Sequence, residues 1–407
     1  MSTLTKSTIE HVNGPKKQKV LILGGGFGGI KTALQLSSSN NYHVSLISDQ
    51  SNFRYYPTLY KTATGGNQNA SIISLQEIFK DKPVDIILDS ARVLNRTNKS
   101  VTCASGKSYE YDILVVALGV FTNFFGIKGL QKYSYGIKTL DEASALRDHI
   151  HKQLVDDGQP DLNYVVIGGG ASGVELAGAL PGYIKHIMKH HGLKQRKLSI
   201  ELVEAAPRLV PRMSVRYSRL IARRLRKLGI KLYLKQTVQA ETAEALTVSG
   251  QSIKSHCVIW TAGVTNHPFL KDNQFSLSDH GKAVVDEYLQ AEDSIYVIGD
   301  NAETQYSGMA QTALHDAVCV ADNLKRRSSG KTPKPYQAKQ PVYVISVGPR
   351  WAAVSWGKFQ FYGILGWALR QDADLRAYHD LEPWWKASKH WMADSESQEV
   401  CSLCSPK

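Results

Sequence analysis

An α/β fold of two Rossmann-like dinucleotide-binding domains, the second inserted in the first and followed by a C-terminal membrane-associating segment, is predicted by three observations. Two glycine-rich turns recur in the same strand–turn–helix setting, "VLILGGGFGGIKTAL" at Val20–Leu34 and "YVVIGGGASGVELAGAL" at Tyr164–Leu180. Short apolar strands closed by glycine lie on both sides of the second turn, "YEYDILVVALG" at Tyr109–Gly119 and "SIYVIGDNAE" at Ser294–Glu303. Six of the seven tryptophans lie past residue 350, in a stretch too short in apolar run to cross a bilayer.

The first turn fits G-x-G-x-x-G at Gly24, Gly26 and Gly29, with Phe27 and Gly28 inside it. The first glycine permits the tight turn, the second lets a pyrophosphate approach the backbone, and the third lets helix and strand pack closely. The helix N-terminus then faces the phosphates. A second strand follows at His43–Ser48. The acid expected at its end to bind a ribose is replaced by Ser48, with Asp49 one residue later. Either Asp49 swings in or Ser48 makes a weaker contact.

The second turn repeats the pattern at Gly168, Gly170 and Gly173. The strand in "LSIELVEAAPRLVP" ends at Glu204, an acid that can accept a ribose hydroxyl and would repel a 2′-phosphate, so NADH is expected rather than NADPH. Arg208 nearby weighs against that preference. Two dinucleotide sites in one chain are most simply a resident flavin and a visiting nicotinamide, since a flavin accepts a hydride and passes electrons on. Two mobile nicotinamides are the alternative. Further strand ends support the flavin: Gly119, Gly263 in "HCVIWTAGV", and Gly299-Asp300, where an acid can accept a ribitol hydroxyl.

Composition narrows the classes. The chain has 407 residues, 43% hydrophobic and 21% charged, and a formal net charge of +13, which suits an anionic partner. Much of that charge lies in "RYSRLIARRLRKLG" at Arg216–Gly229, where Leu220, Ile221, Leu225 and Leu228 form an apolar stripe and the arginines an outer face, either simply solvated or attracted to anionic lipid. No nucleic-acid motif is present. Residues 1–17 carry no apolar h-region, so no secretory signal is expected. The five cysteines are scattered, with Cys401 and Cys404 forming half of a zinc site at most. His186 and His190 are four apart but lack the glutamate of a metalloprotease helix and are flanked by Lys185 and Lys189, so no metal is expected.

These motifs, in the order GGGFGG, ALG, GGGASGVELAG, WTAGV and IGD, resemble the two-dinucleotide-binding-domain flavoproteins, and among them type II NADH dehydrogenase, the single-subunit NADH:quinone oxidoreductase. "NFRYYPTLYKTATG" at Asn52–Gly65 looks like that family's flavin-contacting loop, with Thr64 in it. "MAQTALHDA" at Met309–Ala317 resembles its quinone-site motif at Ala310, Gln311 and Ala313 and departs from it at His315, Asp316 and Ala317. The resemblance implies FAD and NADH as cofactors and a membrane quinone as acceptor, reduced without proton pumping. It implies Glu175 near the nicotinamide and flavin, and a quinone approaching near Ala310–His315, where Gln311 lines the site and His315 can donate a proton. Sulfide:quinone and apoptosis-inducing-factor-like flavin oxidoreductases are alternatives, as is a nonenzymatic NADH-sensing flavoprotein. Dithiol enzymes of this fold place cysteines beside the flavin, and none occurs in the first helix here.

The expected organisation is an FAD-binding domain at 18–135 and 265–345, an NADH-binding domain at 136–264, a membrane-anchoring segment at 346–392 and loose tails at 1–17 and 393–407. In the anchoring segment "FYGILGWAL" at Phe361–Leu369 is apolar nearly all round, and "WWKASKHWM" after Pro383 sets Trp384, Ala387 and Trp391 on one helix face with Lys386 and Lys389 beside it. Trp and Lys together suit a lipid headgroup region. Asp372, Asp374, Asp380 and Glu382 count against strong electrostatic binding. A monotopic, peripheral location on the cytoplasmic face of the cell membrane is expected, with a homodimer interface as the other use of the aromatic cluster.

Overall fold

The computed structural model describes residues 17–67, 72–155, 163–193, 199–255 and 257–395. The tail with Cys401 and Cys404 lies outside the described residues. In the first unit β1 (Gln18–Leu23) leads through the glycine turn into α1 (Phe27–Leu36) and β2 (Tyr42–Ser48), with β3 (Val84–Leu88) and β4 (Ile113–Val116) following. The second unit holds β5 (Asn163–Ile167), α2 (Ala171–His190), β6 (Ser199–Glu204), α3 (Val215–Lys227), β7 (Lys231–Leu234) and β8 (Cys257–Trp260). The chain then adds β9 (Gln290–Glu292), β10 (Ile295–Val297) and α4 (Ala310–Ser328). It ends in β11 (Tyr343–Ser346), β12 (Ala352–Trp356), β13 (Phe359–Gly363), α5 (Ile364–His379) and α6 (Trp384–Ser395).

The first sheet has six strands in the order β9-β10-β4-β1-β2-β3, parallel except for β9. The second has four parallel strands in the order β7-β6-β5-β8. The chain therefore leaves the first sheet after β4, builds the second, and returns to the first at β9 and β10. The apolar runs that announced β1, β4, β5 and β8 are buried on both faces, as parallel strands covered on both sides require. In each sheet the order reverses beside the strand that precedes the glycine turn. That opens a crevice between β1 and β4, and between β5 and β8, at the carboxyl ends where open α/β sheets bind ligands.

Two stretches that read as single elements divide. The run Tyr109–Gly119 breaks at Asp112, whose carboxylate accepts the Lys19 N–H at 2.7 Å. The part before it pairs in a separate antiparallel sheet, and β4 starts at Ile113. Phe361–Leu369 breaks at Gly363, whose φ of 90° ends β13 and starts α5.

The C-terminal segment ties into both cores. Ile345, Val347 and Ala353 join the core of the second unit. Tyr378, Leu381 and Ala387 join that of the first, where the Tyr378 ring lies 4.6 Å from Tyr55. The helix face expected to meet lipid thus turns inward at Ala387 and Trp391, and the exposed large apolar side chains of α6 are Trp384, Trp385 and Met392. Lys386 pairs with Glu77 at 3.1 Å. Trp384 stacks on His379 at 3.7 Å.

Burial pushes the Cys103 and Cys319 thiols up to about 11 and raises Cys257 as well. A thiol needs its thiolate to react. Titration of the native protein with a disulfide reagent at pH 8 should therefore leave these three thiols unreacted until denaturant is added, in a C401S/C404S variant as in the parent. Fast reaction in that variant would show that one of them is accessible and ionised.

Candidate functional site

The two glycine turns are built alike to the level of single hydrogen bonds. Gly24 N–H donates to Ile47 O and Gly168 N–H to Val203 O, each at 2.8 Å. On the other side Ala117 N–H donates to Leu23 O and Thr261 N–H to Ile167 O, again at 2.8 Å. Gly24 and Gly168 share a φ of 110°, a conformation that side chains disfavour. A Cβ at Gly29 would strike Gly24 O, and one at Gly173 would strike Gly168 O. Gly26 and Gly170 instead face open space, with nothing within 4 Å of an added Cβ. Both are extended N-cap residues, and neither α1 nor α2 has a side-chain cap or an acid in its first turn. The first N–H groups of each helix are thus left for an anion, and the residues present fit a pyrophosphate in each turn. Phe27 can offer only its backbone there, because its ring is buried edge-on against Phe53 at 4.9 Å. Gly28 packs against Ile298, where a Cβ would come within 3.1 Å, and serves the helix–sheet contact.

The residues at the two ribose positions are equivalent in place and different in chemistry. Glu204 closes β6 under the second turn, accepting the Gly169 N–H at 2.5 Å and the Ala206 N–H at 2.7 Å. Ser48 closes β2 under the first turn, where a Cβ on Gly25 would meet its Oγ at 2.5 Å. The Ser48 hydroxyl donates to Gln50 O at 2.8 Å and accepts the Gln50 N–H at 3.2 Å, so it closes its own turn. Asp49 is exposed beside it. Arg208 donates to the Pro211 and Met213 carbonyls, which turns its guanidinium into the loop after β6. That loop folds back on the second turn: Val210, held at a φ of 40°, donates its N–H to Gly169 O at 2.8 Å. A β-branched residue in the left-handed region marks strain that this contact sustains.

Beyond the first turn, β10 runs into a short 3-10 turn, Gly299–Asn301. Burial raises the Asp300 pKa, opposed by Lys138, Lys282, the Gly308 N–H and Arg212. Burial in turn lowers Lys138 and Lys282. Asn301, fully buried, accepts the Gly119 N–H and donates to Gly119 O, both at 2.8 Å. Asp316, also fully buried, accepts the Gly299 N–H at 2.9 Å, and burial raises its pKa. Sequence reading passed over Lys138 and Asn301, and noted Asp316 only as a departure from the motif. The departures from the family motif now have local uses: Asp316 caps the Gly299 turn and Ala317 fills the core.

Glu175 sits on the second turn of α2 and is buried. Its Oε1 accepts from Arg370 of α5 at 2.7 Å and from the Ser346 N–H of β11 at 3.3 Å. Arg370 also donates to both oxygens of Asp374 at 3.1 Å, to Val344 O at 3.1 Å and to Pro57 O at 2.9 Å. Tyr55 O–H donates to Asp374 at 2.7 Å. Burial raises the Glu175 pKa and the adjacent guanidinium pulls it back. The cluster joins the second unit, the C-terminal segment and the Asn52–Gly65 loop. No spacing in the sequence relates Glu175 to Arg370, 195 residues away. Thr64, at the end of that loop, donates its hydroxyl to Tyr60 O at 2.9 Å.

Gln311 and His315 are one helical turn apart on α4 and face the same neighbouring segment. Gln311 donates to Val342 O at 3.0 Å and accepts the Val342 N–H at 3.1 Å. His315 Nε2 lies 2.9 Å from Gln337 O, so Nε2 carries the proton and Nδ1 is the other exchangeable position. Ala310 opens α4 and is partly buried. A Cβ on Gly263 would meet Asn123 O and the Phe125 ring at 2.5 Å, so this glycine packs one connecting strand on another. His186 and His190 stack on each other at 6.4 Å, and among the described residues no cluster of three or more His, Cys, Asp or Glu could hold a metal.

A family model described as pyridine nucleotide-disulphide oxidoreductase matches residues 18–317. A type II NADH:quinone oxidoreductase of Mycobacterium tuberculosis is 27% identical over 385 residues, 87% of this chain and 83% of that protein. One from Staphylococcus aureus is 27% identical over 356 residues, 82% of this chain and 88% of that protein. Among solved structures, NDH2 from Plasmodium falciparum in complex with NADH superposes with a TM-score of 0.83 at 17% identity, covering 95% of this chain and 99% of that one. The sulfide:quinone oxidoreductase of Aquifex aeolicus reaches 0.77 at 18% identity, with 95% of each chain covered.

Removing one partner of a buried ion cluster leaves the others uncompensated at a cost of about 3–5 kcal/mol. Arg370→Ala should lower the unfolding free energy of the flavin-loaded protein by about that amount in urea titrations. The triple variant Arg370→Met, Glu175→Gln, Asp374→Asn should recover most of it. A loss below about 1 kcal/mol in the single variant would show that the cluster is not the tie described here.

Proposed function

Since the chain belongs to the pyridine nucleotide-disulphide oxidoreductase family, we propose from its relatives and its site that it is a type II NADH:quinone oxidoreductase, an FAD enzyme that passes electrons from NADH to a membrane quinone. The observation that carries this reading is the pair of uncapped glycine turns that match bond for bond yet differ in the ribose residue beneath them, Ser48 in one and Glu204 in the other. Bound FAD supplies the chemistry of accepting a hydride from NADH and releasing electrons to a quinone.

The protein's own groups have separable tasks in this reading. The Gly24–Gly29 turn and the N-terminus of α1 hold the FAD pyrophosphate, and Asp300 accepts a flavin ribitol hydroxyl. Lys138, Lys282 and Arg212 favour the ionised form of that carboxylate against its burial. The Gly168–Gly173 turn and α2 hold the NADH pyrophosphate, and Glu204 takes the adenosine ribose. Arg208 is turned into its own loop, which leaves the Glu204 carboxylate to repel a 2′-phosphate. Glu175 stands at the junction of the two units, where Arg370 and the Ser346 N–H fix its carboxylate, and it positions the nicotinamide or relays a proton. Gln311 and His315 line the quinone approach; with Nε2–H held by Gln337, His315 can receive and pass a proton at Nδ1. The lack of cysteine in α1 and in the Asn52–Gly65 loop disfavours a dithiol reaction.

Membrane attachment belongs to the same proposal. No described helix is long and apolar enough to cross a membrane. The C-terminal segment nevertheless exposes Phe359 (74%), Ile364 (64%), Leu365 (70%) and Trp385 (72%), large side chains that insertion into a leaflet would cover. The face is taken to be the cytoplasmic one, where NADH is available.

The purified protein should be yellow, bleach anaerobically with NADH, and recover its colour on adding a quinone. NADH should exceed NADPH in kcat/KM, and Glu204→Ala should narrow that gap by about tenfold, the worth of a charge-assisted hydrogen bond. A parent enzyme that prefers NADPH would refute the assignment of Glu204. Asp300→Ala should purify with little flavin; a variant holding full, tight FAD would refute the role of Asp300.

A further inference from the structure

The arginine face of α3 is left unexplained by the electron-transfer reading. Arg216, Arg219 and Arg223 recur at helical spacing on one exposed stripe. Among the described residues none of them has a carboxylate within ion-pair distance, in contrast to Lys31, Arg96, Arg370 and Arg376, which all do. Like charges one turn apart repel, so the stripe is destabilising unless an anion meets it. Arg224, on the other side of the helix, donates to Val347 O at 3.2 Å and lies over the Trp351 ring at 5.4 Å.

The stripe forms one wall of a cleft of about 570 Å3 between α3 and β13. Gln360 and Tyr362 of β13 form the other wall, and Val215 and Leu220 contribute apolar surface. The cleft is held open by bonds that do not use the arginines. Gln360 donates to Ser214 Oγ at 2.8 Å, and that hydroxyl caps α3 by accepting the Tyr217 N–H at 3.2 Å. Tyr217 O–H donates to Ala353 O at 2.8 Å. The hairpin that carries Gln360 and Tyr362 also presents Trp356 and Phe359 to solvent, and Ile364 and Leu365 follow at once. A guanidinium-lined cleft therefore opens at the rim of the apolar face assigned above to the membrane.

The acids that argue against anionic lipid in the sequence are each engaged within the protein. Asp372 pairs with Arg376, Asp374 with Arg370, Asp380 with Lys31 and Glu382 with His390. From this arrangement we infer that the cleft between α3 and β13 is a headgroup site for an anionic phospholipid, its phosphate held by Arg216, Arg219 and Arg223 and its acyl chains lying over the Tyr362–Leu365 surface. Planar guanidinium forks match phosphate oxygens in pairs, which lysine cannot do. The bound lipid would fix the depth and rotation of the enzyme on the leaflet. The inference rests on the membrane reading given under Proposed function.

The test is flotation of the full-length, flavin-loaded protein with vesicles of phosphatidylcholine alone and of phosphatidylcholine mixed with phosphatidylglycerol. The parent should bind both and prefer the anionic ones. Arg219→Gln/Arg223→Gln should lose about ten- to thirtyfold of its affinity for anionic vesicles, keep its affinity for neutral ones, and retain its rate with a water-soluble quinone. Lys185→Gln/Lys189→Gln removes the same charge from the exposed face of α2, away from the cleft, and should keep most of the preference. Equal loss in both variants would show diffuse attraction and overturn the site. Loss of the preference on adding millimolar inorganic phosphate at constant ionic strength would assign the cleft to free phosphate instead and overturn the lipid assignment. A parent that binds neutral and anionic vesicles equally would overturn the site alone, and one that binds neither would overturn the membrane reading with it.

Discussion

Arg370 is the point through which the rest of the molecule is held in register. Its guanidinium meets Glu175 from the second unit, Asp374 from its own helix, and the Pro57 carbonyl from the loop of the first unit. A buried arginine cannot shed its proton, so every donor has to find an acceptor, and the acceptors come from three separate parts of the chain. The consequence is geometric. The loop Asn52–Gly65, the start of α2 and the C-terminal helices are fixed relative to one another at the junction where a flavin and a nicotinamide would have to meet. The C-terminal segment thus bears the exposed aromatic face and, through Arg370 of α5, also contacts Glu175.

The paired turns show how far local rules reach. The two fingerprints could be read in the sequence because each glycine answers a contact made within a few residues: Gly29 against Gly24, Gly173 against Gly168. The buried strands were legible because parallel strands covered on both faces leave uninterrupted apolar runs. Glu204 could be placed because it ends the strand adjacent to its turn, and Ser48 follows by the same logic.

What escaped the sequence depends on contacts between distant segments. Nothing in "ALRQDADLRAY" marks Arg370 as buried, since the arginine two turns away at Arg376 looks the same and is exposed. Nothing local marks Asn301 and Asp316, yet they satisfy the backbone of Gly119 and Gly299. The face of α6 was misjudged because helical periodicity says which residues share a face and not which side of the helix the core lies on. Trp391 and Ala387 went inward, and Trp385 outward.

In the proposed reading, two turns of the same build hold different dinucleotides, a resident flavin in the first and NADH in the second, with Ser48 and Glu204 as the residues that distinguish them. A crystal structure of the protein with FAD bound and NADH soaked in tests it directly. The FAD pyrophosphate should lie at Gly26 and the N-terminus of α1, Asp300 against the ribitol, and the NADH pyrophosphate at Gly170 with Glu204 on its ribose. Nicotinamide nucleotides in both turns, or a flavin in the second, would contradict it.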